Sequence, residues 1–147
     1  MILYETDFFM QRMQCTRTDK EESLALIEPL HMFYNAYRRG INELDALLKN
    51  EMWIELSPPI LIKAGELFTT AKSAEQIQHI VYNTIVASNY TGRQCFQGVI
   101  VAEIMTAIFE QYTSDYIFTF LLPSFFSIAL ERQAVERYNA LKKSSNG

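Results

Sequence analysis

The stretch from Cys95 to Phe109 constrains this chain most. It reads Cys-Phe-Gln-Gly-Val-Ile-Val-Ala-Glu-Ile-Met-Thr-Ala-Ile-Phe, with Glu103 as its one charge. The spacing predicts a helix, and a helix apolar on nearly every side must be surrounded by other elements. The remaining helices must therefore supply its solvent. Helical periodicity supplies them on both sides, and strand alternation is nearly absent.

Apolar residues within 2–13 fall loosely on one helical face. Thr18-Asp19-Lys20-Glu21 has the pattern of a capping box, in which a hydroxyl and an acid three residues on satisfy orphan backbone N–H groups. A helix follows to about Arg39, with Leu26, Ile27, Leu30, Phe33, Tyr34 and Tyr37 at helical spacing and Gly40 as its stop. Glu43 to Trp53 is a shorter amphipathic stretch. Ser57-Pro58-Pro59 restarts a helix with Ser57 as cap. Ser73-Ala74-Glu75-Gln76 opens another, and Thr91-Gly92-Arg93-Gln94 a third box before the apolar helix. Pro123 is expected to start a last helix running to about Lys142, with 144–147 disordered. The fold class expected is all-α: one domain over 1–147, seven to eight helices around a central buried apolar helix at about 92–110.

Composition narrows the function. Lys and Arg number 13 against 17 Asp and Glu, a net charge of -4, with no dense basic block. Binding to a phosphate backbone depends on clustered cations, so nucleic acid is excluded as a partner. Cys15 and Cys95 have no second thiol or histidine at ligand spacing, which excludes a zinc ribbon or a disulfide framework and leaves two reduced thiols or a link between two copies. Tyr116 to Leu130 is an uncharged run of fifteen residues containing Pro123, and reads as buried protein, since a spanning helix needs about 20 apolar residues. No signal peptide and no transmembrane anchor are expected.

Enzyme constellations fail. Glu28-Pro29-Leu30-His31 has the Glu-x-x-His spacing of di-iron bundles but no second copy, since Gln76 precedes His79 at the corresponding spacing. Cys95 and His79 face each other only if their helices do, and a thiol inside an apolar helix is inert. No nucleophile elbow, P-loop or dinucleotide fingerprint is present. No catalysis, cofactor or metal is expected.

Ser88-Asn89-Tyr90-Thr91-Gly92-Arg93, leading into a buried apolar helix, resembles the first homology motif of the Bcl-2 family, Asn-Trp-Gly-Arg. It departs from that motif in placing Tyr90-Thr91 where one tryptophan is expected. Leu61-Ile62-Lys63-Ala64-Gly65-Glu66 looks like the family's BH-3 pattern, Leu-x-x-x-Gly-acid, although Gly65 lies only 28 positions before Arg93. The alternative is an ordinary groove-wall helix, with 23–39 or 43–53 in the BH-3 position. No BH-2 motif is recognisable. Short length and eroded motifs resemble the viral members of the family, those of fish iridoviruses most.

The resemblance implies an inhibitor of apoptosis in the host cytoplasm, peripheral at mitochondria, that sequesters BH-3 helices of pro-apoptotic host proteins in an apolar surface groove. On that pattern Arg93 pairs with the ligand's aspartate, Gly92 permits close approach and Asn89 assists. Ile80, Asn83 and Thr84 form the groove wall, and Phe96 and Ile100 its floor, each with core packing as the plain alternative, which is the better reading for Ile100. A different reading is a Bcl-2-fold adaptor whose groove is closed and which acts through a homodimer or by binding immune-signalling proteins. A third is a membrane-inserting hairpin using 95–122, which Glu103 and Pro123 oppose.

Overall fold

A computed structural model describes residues 13 to 146; the helical face expected within 2–13 lies outside this range save for Met13. Among the described residues every regular element is helical: α1 (Arg17–Ser23), α2 (Ile27–Arg39), α3 (Ile41–Leu48), α4 (Glu51–Leu56), α5 (Pro59–Leu67), α6 (Ala74–Ala87), α7 (Gly92–Phe109) and α8 (Ile128–Asn146). A 3-10 turn (Leu24–Leu26) joins α1 to α2. A π-helical segment (Tyr116–Leu121) and a second 3-10 turn (Pro123–Phe125) precede α8. The chain is an all-α helical bundle.

Chain chemistry accounts for most of the boundaries. Thr16, not Thr18, caps α1: its hydroxyl accepts from the Asp19 amide at 3.1 Å, and the Asp19 carboxylate accepts from the Thr16 amide at 3.0 Å. The helix expected as one piece to Arg39 is broken at Leu24–Leu26, because Pro29 has no N–H to donate back to the preceding turn. Gly40, at φ 131°, ends α2 and begins α3. The stretch expected over Glu43–Trp53 is two helices, since the Asn50 side chain accepts from the Trp53 amide at 2.9 Å and starts α4. Ser57 closes α4 instead of opening α5, its hydroxyl donating to the Trp53 carbonyl at 2.6 Å. Ser73 caps α6 as expected. The Gln76 side chain, however, accepts from Lys72 and not from the cap residue. Pro123 starts only a 3-10 turn, and α8 begins at Ile128 and continues to Asn146, past the point where disorder was expected.

Between Cys95 and Ile108 only Gln97, Glu103 and Thr106 of α7 reach solvent, and each does so in part. α7 packs chiefly on α6, and also on α5, α1 and the π-helical segment. Its charge is accommodated by α6: Tyr82 donates to Glu103 at 2.5 Å, and the Gln78 amide reaches both carboxylate oxygens at 3.3 Å.

α8 is held against α2 by an aromatic cage around His31. The imidazole meets Phe118 edge-on at 5.5 Å and Tyr138 at 5.6 Å, while the Asn35 amide lies 3.5 Å from Nε2. Tyr138 donates to Asp115, which also takes Lys142. Burial first, and then the Lys142 charge, hold the His31 pKa below its ordinary value. The unfolded chain, with an ordinary histidine near pH 6.5, therefore takes up a proton before the folded one. The His31 contribution to stability is complete above about pH 6.5 and declines as pH falls toward the lowered folded value. Urea melts at pH 7.5 and 5.5 should show the wild type losing stability over this interval and His31→Phe losing less. Equal pH sensitivity of the two proteins would remove His31 from this role.

Candidate functional site

The turn joining α6 to α7 is built by its backbone. Ser88 and Asn89 amides bond back to Thr84 and Val86 carbonyls, and the Tyr90 amide reaches Ile85 at 3.2 Å. Asn89 takes φ 55°, a left-handed conformation that asparagine tolerates better than most residues. Its place in the sequence is thus explained by the turn itself. Gly92 takes φ 57°, and a side chain there would be strained even though the nearest atom, the Gln14 carbonyl oxygen, leaves 3.7 Å for a Cβ. Thr91 occupies the cap position of α7, but its hydroxyl makes no capping bond, so the third expected capping box does not form.

Arg93, in the first turn of α7, is half exposed. Its guanidinium does not stand free: Nη1 donates to Glu22 on α1, a partner equally half exposed and 71 positions away in sequence. Opposite charges pair here where the helix dipole disfavours a cation, and the carboxylate offsets that penalty. One turn on, Phe96 is buried against Phe126, with ring centroids 5.8 Å apart, and the Lys20 ammonium lies 6.0 Å from its centroid. Gln97 donates to the Ser23 hydroxyl at 3.2 Å. Lys20, Glu22 and Ser23 of α1 thereby engage Phe96, Arg93 and Gln97 of α7.

The other expected groove residues separate into two groups. Ile80, Asn83 and Thr84 share the outward flank of α6, with Ile80 38% exposed and Thr84 bonded to the Ile80 carbonyl. The opposite flank, carrying Ile77, Val81 and Ile85, is the one that packs. Ile100 is fully enclosed. It therefore belongs to the core in this conformation and not to a groove floor, and Phe96, 5% exposed, is covered as well. Core packing is the reading preferred for Ile100 from its sequence; for Phe96 a helix apolar all round gives no periodic cue that separates floor from core. Leu61 and Gly65, of the BH-3-like stretch, are buried in α5, and one helix, α6, fills the interval to α7.

Cys95 is buried in α7 and His79 is exposed on α6. His31 is enclosed by aromatic rings while Glu28 is exposed, so the Glu-x-x-His spacing does not converge. Among the described residues no cluster of acids, histidines and cysteines is arranged to hold a metal ion, and no helix is long and apolar enough to cross a membrane. A cavity of about 330 Å³ opens elsewhere, between the first 3-10 turn, the start of α2, the end of α4 and α8, lined by Leu24, Ile27, Leu56, Arg137 and Leu141 among others. None of the expected groove residues lines it.

Two features escaped the sequence reading. The Gln78–Tyr82–Glu103 cluster carries a local signal, two polar side chains at i, i+4 on the helix preceding one isolated acid. The Glu22 partnership carries none, because acids of the first helix are interchangeable until the fold brings one to Arg93. No protein-family model, no curated protein and no solved structure matches the chain.

Proposed function

We propose that this protein is a binding module for acid-bearing amphipathic helices, and that it acts as a Bcl-2-like inhibitor of apoptosis by sequestering BH-3 segments. The observation that carries this reading is the behaviour of Arg93. Its guanidinium, at the N-terminal end of a buried apolar helix, donates to a carboxylate presented by another helix. That is the chemistry a BH-3 aspartate would need, and charge-assisted contacts of guanidinium with carboxylate are both directional and stronger than neutral hydrogen bonds. In helix-in-groove recognition the ligand's own apolar anchors lie one and two turns from its acid.

Fluorescence polarisation with a panel of labelled BH-3 peptides tests this. Truncating one member of a buried charge pair typically costs about 2–5 kcal/mol. Because free Arg93 already has Glu22, part of that gain is exchange, and Arg93→Ala is expected to weaken binding at least about tenfold, or 1.4 kcal/mol. Absence of binding by every peptide rejects the proposal, and unchanged affinity in Arg93→Ala moves the ligand away from α7.

The adaptor reading is favoured by a different observation. Phe96 and Ile100 are covered, whereas Tyr112, Tyr116 and Phe120 lie exposed at successive four-residue intervals, Phe120 at 66%. Exposed apolar patches mark interfaces. Concentration-dependent dimerisation in light scattering, together with no peptide binding, would favour that reading.

A further inference from the structure

We infer that α1 is an internal occupant of the acid-binding face at the start of α7, so that an incoming helix must displace it. The inference rests on the function proposed above and concerns the regulation of the same site.

The contacts of α1 with α7 reproduce those of a bound helix in miniature. Glu22 supplies the carboxylate to Arg93, Ser23 receives the Gln97 amide, and Lys20 lies over the Phe96 ring. All three α1 residues fall within one helical turn, as an amphipathic ligand's contacts would. The attachment is releasable. Seven residues are too few for a helix to be stable alone in water. Residues 17–22 are exposed or half buried, and full burial begins only at Ser23 and Leu24. The ion pair is half exposed on both sides, a setting in which such pairs contribute little. Release of 17–22 would therefore leave Ser23 on Gln97, Leu24, Leu26 and Ile27 in the core, and Met13 and Cys15 half buried against it on the other side. It would free the Arg93 guanidinium and the Phe96 ring face. Segments with few buried contacts open at low free energy. A ligand that binds only the open form has its apparent affinity reduced by the open fraction.

The test compares full-length wild type, Glu22→Ala, Glu22→Arg and Arg93→Ala with the same labelled BH-3 peptides. Thermal melts establish that each variant is folded. Glu22→Ala should bind about two- to fivefold more tightly, the range that the loss of an exposed ion pair allows. Glu22→Arg should gain more, since two facing guanidiniums repel α1 from α7. The gain should vanish when Arg93→Ala is added. Hydrogen exchange of the 20–23 amides should speed up when peptide is added to the wild type. If wild type and both Glu22 variants bind equally while Arg93→Ala binds worse, the sequestration reading stands and displacement of α1 is overturned. If no variant binds any peptide, both are overturned.

Discussion

Trp53→Ala is expected to destabilise the bundle by about 3–5 kcal/mol, the cost of emptying a large aromatic site that cannot fully collapse. Trp53 is the chain's single tryptophan and is wholly buried. Its ring lies against Phe33 at 6.1 Å between centroids and covers Gly65, where a Cβ would come within 3.2 Å of it. The indole N–H donates to the Pro29 carbonyl at 3.0 Å, joining α4 to α2. The same residue's amide and carbonyl serve the Asn50 cap and the Ser57 hydroxyl, but those bonds survive truncation. A domain of this size has about 5–15 kcal/mol in total. The melting midpoint should fall on the order of 10 °C. Circular dichroism reads it, since the substitution removes the tryptophan fluorescence. Trp53→Phe should retain most of the packing and lose the Pro29 bond, giving a smaller loss. A change below about 1 kcal/mol for Trp53→Ala would mean that the site is not a packed joint.

The fold was legible where a local rule had no competitor. Gly40 ends α2 because no other nearby residue takes a positive φ at so low a cost, and Ser73 begins α6 because, of the hydroxyls Thr69, Thr70 and Ser73, it alone has a Gln or Glu three residues on. It was misread where two local solutions were available. Thr16 and Thr18 each have an acid three residues on, Asp19 and Glu21. In the fold Glu21 is engaged by Arg17 at 2.9 Å, while Asp19 answers Thr16. Ser57 lies between Trp53 and two prolines and serves either helix equally well in sequence. The Trp53 carbonyl 2.6 Å away decides for the earlier one.

The candidate site divides in the same way. The position of Arg93 in the first turn of a buried helix was legible from Thr91-Gly92-Arg93-Gln94 standing just before the apolar run, although the cap bond itself does not form and the turn rests on left-handed Asn89 and Gly92. Its partner was not, since the pairing closes a loop of 71 positions. Nor was the covering of Phe96, because it satisfies groove and core patterns alike when apolar residues surround the helix. Burial, which only the packed bundle defines, assigns Ile100 to the core.

The joint between α6 and α7 makes the second large prediction. Gly98 lies where the two helices approach so closely that a Cβ would stand 2.8 Å from both Cδ1 and Cγ1 of Ile85, and 3.2 Å from Cδ1 of Ile60. Gly98→Leu should therefore cost about 1–3 kcal/mol by overpacking, or more where the neighbours cannot turn. Gly98→Ala is the finer probe. Alanine in a helix interior gains up to about 1 kcal/mol over glycine, which the displaced Ile85 offsets. Ile85→Val removes one of the two crowded atoms and costs about 0.5–1.5 kcal/mol in the parent. In the Gly98→Ala background it should cost less or stabilise, with a coupling of at least about 0.5 kcal/mol between the two positions. Strict additivity in urea melts of the four proteins would show that these helices do not meet at Gly98. The placement of Ile85 and Ile100 in one continuous core, on which the covered state of the α7 face depends, would then need to be redrawn.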